Sequence, residues 1–237
     1  MSVHNMDILS SLKGGLVVSC QAYPGEILFG ADVMARMALT AKAGGAVGIR
    51  ANTPEDVAEI KSRTGLPVIG IWKASYSDSS VYITPTLKEA EAIAQAGADI
   101  VALDATNRER PGQERLTDII RVLRSKYEVM LMADVSTVQE GIEAERMGFD
   151  IVSTTLSGYT PYSPNHAGPD MELVGELVKA LSIPVFAEGR IQTPEEASEC
   201  LHRGAYTVVV GSAITRPELI TRKFVEGIRQ SAVSQSG

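Results

Sequence analysis

The chain has 237 residues, of which 44% are hydrophobic and 22% charged, which is ordinary for a soluble globular protein and enough for one large α/β domain or two smaller ones. Its formal net charge of −7 argues against general binding to nucleic acid or to an anionic membrane, but it leaves open a small anionic ligand held by backbone amides. No apolar run reaches the length of a membrane span and the first residues show no signal-peptide pattern, so we expect a cytoplasmic protein.

Eight short runs rich in Val, Ile, Leu and Ala predict β-strands that are buried on both faces, as in a parallel sheet. In chain order these runs are residues 16–19, 46–50, 68–72, 100–104, 129–133, 151–153, 185–187 and 207–210. Segments with the start and stop signals of helices separate them. Eight strand–helix repeats without a composition break predict one domain over residues 1–237, with the α/β fold of a (β/α)8 TIM barrel.

Four of the intervening helices are predicted to begin at a capping Ser or Thr, and in three of them a Glu or Gln follows three residues later, as in a capping box. The predicted caps are Thr53, Thr86, Ser136 and Thr193. Before the first strand we expect only a short N-terminal arm. The small, polar residues 231–237 are predicted to form a frayed tail.

Polar side chains follow the carboxyl ends of most of these strands. In a TIM barrel those ends meet at one rim, which carries the active site. The residues predicted at this rim include Gln21, Arg50, Lys73, Asp104, Asp134, Glu188, Gly211 and Ser212. An amine and several carboxylates at one rim favour an enzyme that moves protons.

Lys73 closes the third strand and has three interpretations. It could be an ordinary solvated strand end. A desolvated amine at the barrel mouth could instead act as a general base, or it could form a Schiff base with a carbonyl substrate. Glu188 closes the seventh strand. It could pair with Lys73 or Arg190 as a purely structural residue, it could hold the Lys73 ammonium in place, or it could shuttle its proton.

Three further residues are candidates for substrate contacts. Asp134 ends the fifth strand and could order a loop or accept hydrogen bonds from substrate hydroxyls. Arg50 ends the second strand and could stabilise an enolate, bind a phosphate or form an ion pair with a rim carboxylate. Gln21 could donate to a carbonyl or hydroxyl group.

The loops after the seventh and eighth strands predict a phosphate site. Barrels of this kind often bind phosphate there through backbone amides. Gly189 and Gly211 would let the backbone approach an oxyanion, and Arg190 and Ser212 would add donors.

The chain shows no motif for a metal or an organic cofactor. Cys20 and Cys200 are far apart and fit no metal-binding spacing, so we expect two reduced thiols. The three histidines do not combine with them into a ligand set. We therefore predict no metal and no cofactor.

Six strings of the sequence resemble one family when they are taken together. They are GLVVSCQ (residues 15–21), GIWK (70–73), ALDAT (102–106), TTLSGYT (154–160), AEGR (187–190) and VGSAIT (210–215). From about residue 10 to residue 227 the chain resembles the bacterial N-acetylmannosamine-6-phosphate 2-epimerases. The TTLSGYT string is highly specific, whereas many phosphate-binding barrels share the glycine loops.

The resemblance implies interconversion of N-acetylmannosamine 6-phosphate and N-acetylglucosamine 6-phosphate, in sialic acid catabolism and without a cofactor. It implies a catalytic lysine at Lys73 with Glu188 as its partner acid. It further implies substrate contacts from Gln21, Arg50 and Asp134, and a phosphate cradle at Gly189, Arg190, Gly211 and Ser212. Residues 133–135 read Ala-Asp-Val where relatives carry Thr-Asp-Cys or a similar run, but the aspartate is retained.

The chemistry of this substrate matches the predicted rim. Carbon 2 of the open-chain sugar is α to the aldehyde, so a modest base could remove its proton and leave an enolate. Two alternatives remain: a Schiff-base lyase or aldolase that acts on a phosphosugar through Lys73, and a sugar-phosphate-binding barrel without catalysis. We expect a homodimer or another homo-oligomer.

Overall fold

The chain folds into a closed barrel of eight parallel strands in chain order, with β8 paired to β1. The computed structural model describes residues 2–234, with side chains up to residue 231. The strands are β1 Leu16–Cys20, β2 Gly48–Asn52, β3 Val68–Ile71, β4 Ile100–Asp104, β5 Met130–Asp134, β6 Ile151–Ser153, β7 Val185–Glu188 and β8 Thr207–Val210. The predicted (β/α)8 barrel is confirmed, and each predicted strand end lies within two residues of the observed one.

Helices surround the barrel and connect successive strands. They are α1 Val3–Leu12, α2 Ala31–Ala43, α3 Pro54–Thr64, α4 Leu87–Gln95, α5 Leu116–Lys126, α6 Val138–Met147, α7 Met171–Ala180, α8 Pro194–His202, α9 Ser212–Thr215 and α10 Pro217–Ser234. A single 3-10 turn, Pro111–Gln113, precedes α5. Within residues 2–234, none of these helices is long and apolar enough to cross a membrane.

The helix starts follow the predicted capping chemistry with one exception. The predicted caps of α3, α4 and α8 are confirmed. The predicted cap Ser136 is wrong, because Thr137 caps α6 and forms a capping box with Glu140. Both positions have a hydroxyl residue followed by Gln or Glu three residues later. The Glu140 carboxylate is the stronger acceptor, and it also binds the Ser136 hydroxyl at 2.8 Å.

The N-terminal segment, which we predicted only as a short arm, forms the helix α1. Ser2 caps α1 by accepting a hydrogen bond from the Asn5 N–H at 3.3 Å. Ile8 and Leu12, one helical turn apart, are buried among the side chains that fill the barrel. A Cβ at Gly48 would lie only 2.7 Å from Leu12 Cδ2, so the glycine makes room for this contact. Since Gly48 begins β2, α1 closes the end of the barrel opposite the rim.

Part of the predicted C-terminal tail is helical. The helix α10 runs through Ser234 and so includes residues 231–234, while the predicted fraying of this end stays a prediction. Residues 235–237 lie outside the described residues. From residue 221 to residue 231 every residue of α10 is exposed, so this part of the helix is not buried against its own barrel.

Strand alternation directs the charged rim residues into the barrel. Successive side chains of a strand point to opposite faces, so Met130, Met132 and Asp134 share the inward face of β5. On β7, Glu188 follows the buried Phe186 by two residues in the same way. Apolar side chains therefore fill the barrel up to the rim, and charged side chains form its top layer.

A buried carboxylate ties three rim loops together. Glu140, near the start of α6, is fully buried. Its Oε2 accepts from the Ser136 N–H at 2.7 Å, the Ser136 hydroxyl at 2.8 Å and the Thr137 N–H at 3.1 Å. Its Oε1 accepts from the Asn107 N–H at 3.1 Å and from the Tyr162 hydroxyl at 2.7 Å. The loops after β4, β5 and β6 are thereby fixed to one another.

We expect Glu140→Gln to lower the free energy of unfolding by about 2–4 kcal/mol, because an amide nitrogen cannot accept the bonds that one carboxylate oxygen now receives. Urea denaturation measures this change. Glu143→Gln on the same helix is the control, since Glu143 accepts a single exposed hydrogen bond from Gln139. We expect that variant to stay within about 0.5 kcal/mol of the parent. Equal losses in both variants would contradict the role of Glu140.

Candidate active site

A cavity of about 330 Å³ opens at the rim. This volume falls in the range of small-molecule sites. Eight of the nine predicted site residues line it, namely Gln21, Arg50, Lys73, Glu188, Gly189, Arg190, Gly211 and Ser212. The ninth, Asp134, is fully buried beside the cavity wall. The eight lining residues come from five separate segments of the sequence, which the fold brings together.

Arg50 and two carboxylates form a buried ionic network at this cavity. The Arg50 side chain is 1% exposed and donates from Nη2 to Asp134 Oδ2 at 2.6 Å and from Nη1 to Asp134 Oδ1 at 3.1 Å. Nη1 also donates to Glu188 Oε2 at 2.9 Å. The Thr155 hydroxyl lies 2.7 Å from Asp134 Oδ1 and 3.1 Å from Glu188 Oε2. Of the interpretations of Arg50, the ion pair with rim carboxylates is confirmed.

The network sets the ionisation of its members. Loss of hydration lowers the pKa of Arg50, but the charges of Asp134 and Glu188 outweigh that effect and its net pKa is raised, so Arg50 stays cationic. Burial raises the pKa of Glu188 to about 7, an effect that Arg50 opposes and the charge of Asp134 reinforces. Glu188 can therefore hold or release a proton near neutral pH.

Lys73 lies just beyond β3, at an antiparallel bridge to Ile83. Its backbone N–H donates to Asn52 Oδ1 at 2.8 Å, which fixes the chain at this point. Its amine donates to the Tyr23 hydroxyl at 2.8 Å, and Nζ lies 5.3 Å from the centroid of the Tyr23 ring. Tyr23 belongs to the loop after β1 and was not among the predicted site residues.

The predicted structural partners of Glu188 are wrong. Its carboxylate binds Arg50 and Thr155 rather than Lys73 or Arg190. Lys73 acts on it through space, because its charge helps to lower the pKa of Glu188, although burial dominates and raises that pKa. Lys73 and Glu188 therefore face one cavity but are held by different partners.

Arg190 holds the loop that follows β6. Its Nε donates to the Gly168 carbonyl at 3.0 Å, its Nη1 donates to the Ser157 carbonyl, and its guanidinium carbon lies 5.4 Å from the centroid of the Tyr159 ring. A Cβ on Gly158 would lie 2.3 Å from Arg190 Nη1, so this glycine makes the packing possible. The sequence pattern did not predict these contacts. Phosphate binding by Arg190 stays a prediction.

The loop after β8 leads into the one-turn helix α9, whose first residue is Ser212. A Cβ on Gly211 would lie 3.4 Å from Ser19 Cβ, so the backbone passes close to the end of β1. Arg216 follows α9, lines the cavity and pairs with Glu26. Arg216 was not among the predicted site residues, although a cation four residues after Ser212 could have indicated a further contact for a phosphate.

Two predicted rim carboxylates are buried and do not line the cavity. Asp134 lies within the ionic network and keeps no exposed surface. Asp104 is bound by Arg108 Nη2 at 2.5 Å and by the Thr106 hydroxyl at 2.6 Å. Neither aspartate lines the cavity, so hydroxyl recognition by Asp134 stays a prediction.

Metal ligands do not cluster in the described part of the chain. Across residues 2–234 no three His, Cys, Asp or Glu side chains are arranged to hold a metal ion. Cys20 and Cys200 are free thiols and are buried.

The fold and the rim together define the class of protein. A closed (β/α)8 barrel carries an amine, a carboxyl group with a pKa of about 7 and two glycine loops around one cavity. These are the features of a barrel enzyme that performs acid–base chemistry on a small charged substrate. A family model described as "Putative N-acetylmannosamine-6-phosphate epimerase" matches residues 34–230, and the chain belongs to this family.

Individual relatives agree with this assignment. The chain is 52% identical over 230 residues to a protein from Caldanaerobacter subterraneus subsp. tengcongensis described as "Putative N-acetylmannosamine-6-phosphate 2-epimerase", with 97% of both chains covered. It is 52% identical over 221 residues to another from Clostridioides difficile, covering 93% of this chain and 99% of that one. The solved structure of the N-acetylmannosamine-6-phosphate 2-epimerase from Clostridium perfringens matches with a TM-score of 0.91 and 51% identity, covering 95% of this chain and 97% of that one. The resemblance inferred from the motifs is confirmed.

Proposed function

We propose that this protein inverts C2 of N-acetylmannosamine 6-phosphate to give N-acetylglucosamine 6-phosphate, and that Lys73 and Glu188 move the proton. Family membership supports the reaction. The observation that supports the roles is the placement of an amine and a carboxyl group with a pKa of about 7 on one cavity, each held by its own partners. Both groups can exchange protons without a cofactor.

The reaction requires a proton to leave C2 and another to arrive on the opposite face. In the open-chain sugar, the base takes the C2 proton and the C–H electron pair moves into an enolate that ends on the aldehyde oxygen. Protonation of C2 from the other face then returns the aldehyde with inverted configuration. Lys73 and Glu188 would exchange the roles of base and acid between the two directions. Arg50 would stabilise the enolate oxygen by its charge.

The phosphate would bind at the glycine loops after β7 and β8. Gly189 has a φ of 113° and the following Arg190 a φ of 55°, a sharp left-handed turn that allows close approach of the backbone. Gly211 and Ser212 add the start of α9, and Arg216 places a cation on the same cavity. Gln21 would orient the sugar from the end of β1.

We expect the phosphate to account for most of the specificity. N-Acetylmannosamine without phosphate should react with a kcat/KM at least about 10³-fold below that of the 6-phosphate, because the loops after β7 and β8 would have no phosphate to bind. Proton NMR of both sugars with the same enzyme measures this ratio. Equal rates would contradict a phosphate site at these loops. A phosphorylated sugar does not cross a membrane unaided, so we also propose that the enzyme acts in the cytoplasm.

For the assembly, we propose a homodimer in which α10 of one copy packs on the other. The groove between α8 and the outer face of β1 and β8 has a volume of about 470 Å³ and apolar walls that include Leu16, Leu201 and Val208. A helix that follows β8 would normally cover this face. Instead α10 projects outward with Phe224 71% exposed and Ile228 69% exposed, one turn apart on one stripe.

A second copy of the chain is a suitable partner, because each copy has both the exposed apolar groove and the exposed helix α10 that could fill the groove of the other. We expect sedimentation analysis to show a dimer that the double variant Phe224→Asp, Ile228→Asp converts to monomer. Arg229→Asp, at the next position of the exposed helix, is the matched charge control and should stay dimeric. A monomeric parent protein would contradict the proposal.

A further inference from the structure

We propose that Tyr23 is a positioning residue that holds the Lys73 amine in place at the cavity in both of its protonation states. The inference rests on the proposed role of Lys73 as the group that moves the C2 proton. It concerns a residue in the loop after β1, which none of the sequence motifs included.

The contact between the two side chains is direct. Lys73 Nζ lies 2.8 Å from the Tyr23 hydroxyl and 5.3 Å from the centroid of its ring. Within residues 2–234, the Tyr23 hydroxyl is the only side-chain atom that forms a hydrogen bond with this amine, and no carboxylate lies within ion-pair distance of it. Glu188, the carboxylate that we predicted as a partner of this amine, is bound by Arg50 instead.

A phenol suits a lysine that must gain and lose a proton. The Tyr23 oxygen can accept a hydrogen bond from the ammonium form, and its O–H can donate to the neutral amine. A carboxylate partner would favour the ammonium alone and would work against the neutral base. The ring face adds an attraction for the cation while leaving the hydrogen bond to set the direction of the amine.

Tyr23 is itself held by a second pair of charged residues. Its N–H donates to Glu26 Oε2 at 2.8 Å, and Glu26 also binds Arg216. The guanidinium carbon of Arg216 lies 5.7 Å from the centroid of the Tyr23 ring. The ring thus contacts two cations, Lys73 and Arg216, and Glu26 ties the Tyr23 backbone to Arg216, the residue that follows α9. This arrangement fixes an exposed loop residue firmly enough to orient another side chain.

Kinetics of Tyr23→Phe test the proposal, because this variant keeps the ring and removes only the hydroxyl. We expect kcat to fall about tenfold or more, with KM within about twofold of the parent value. With substrate deuterated at C2, the isotope effect on kcat should be at least as large as in the parent enzyme, since proton transfer becomes slower. Tyr127→Phe is the matched control, as its hydroxyl accepts from Gln95 on the outside of the barrel. It should leave kcat unchanged.

A second variant keeps the proposal falsifiable if Tyr23→Phe fails to fold. Glu26→Gln alone should then lower kcat with KM near the parent value. If both single variants fold, the double variant should lose less than the product of the two single effects, because both act through Lys73. An unchanged kcat in Tyr23→Phe, a rise in KM alone, or a smaller isotope effect would overturn the positioning role. Failure of the underlying function would show separately, as an inactive parent enzyme or an active Lys73→Met variant.

Discussion

Lys73→Met is expected to lower kcat by about 10²–10⁴-fold, enough to abolish measurable turnover, while the free energy of unfolding stays within about 1 kcal/mol of the parent value. Methionine replaces the stem of the lysine without its amine. Lys73 also lies outside the barrel core, at the cavity wall, so the fold does not depend on it. Proton NMR of the sugar phosphate measures turnover, and urea denaturation measures stability.

The matched control for this variant is Lys88→Met. Lys88 is exposed on α4, and its Nζ lies 5.8 Å from the centroid of the Trp72 ring. The Lys88→Met variant therefore loses a comparable cation–ring contact outside the cavity. It should keep full activity. Full activity in Lys73→Met would refute the assignment. Borohydride added to the parent enzyme with substrate should leave Lys73 unmodified, whereas a covalent adduct there would favour Schiff-base chemistry instead.

Arg50→Met is expected to lower the free energy of unfolding by about 3–5 kcal/mol at pH 8, because two buried carboxylates lose their shared countercharge. Arg50 lowers the pKa of Glu188, so its removal raises that pKa above the value of about 7 that it has in the parent. In the unfolded chain Glu188 returns to an ordinary acidic pKa. Between the pKa of Glu188 in the unfolded chain and its pKa in the folded variant, the folded state binds more protons than the unfolded state. The stability of the variant therefore falls as the pH rises through this range and recovers as the pH is lowered.

Urea denaturation at pH 5 and pH 8 tests this prediction. The deficit of Arg50→Met relative to the parent should be smaller at pH 5 than at pH 8. Arg121→Met is the control, because Arg121 pairs with Asp118 at 3.0 Å where the two side chains are 76% and 39% exposed. A pair of that exposure should contribute about 1 kcal/mol or less, with no change between the two pH values. Equal deficits of Arg50→Met at both pH values would contradict the proposed network energetics.

The barrel could be predicted from the sequence because its signals are local. Buried parallel strands are continuous apolar runs, and the helices between them carry their own caps, so each element is visible in a short window. Helix α1 was missed because its apolar face is short. Ile8, Leu12 and the partly buried Leu9 form it, and the barrel side chains that they cover lie elsewhere in the chain. The cap at Ser136 was misplaced by one residue because Gln139 and Glu140 both fit the capping-box spacing.

The rim residues could be predicted because strand ends converge at one edge of a barrel. Their pairings could not, because which charges meet depends on the register and tilt of the strands. Glu188 meets Arg50 from β2, 138 residues away in the chain. Tyr23 carries no signal beyond its place two residues after Gln21, and only the folded loop brings its hydroxyl to Lys73. The family resemblance indicated roles for residues but no contacts.

Proton NMR of N-acetylmannosamine 6-phosphate incubated with the protein in deuterium oxide tests the central claim most directly. Proton transfer at C2 predicts that the gluco epimer appears with deuterium at C2, because the proton that returns comes from groups in exchange with solvent. Folded protein that gives neither the epimer nor deuterium at C2 would contradict the proposed function. Epimer formation with complete retention of the C2 proton would contradict Lys73 and Glu188 as separate groups that exchange protons with solvent.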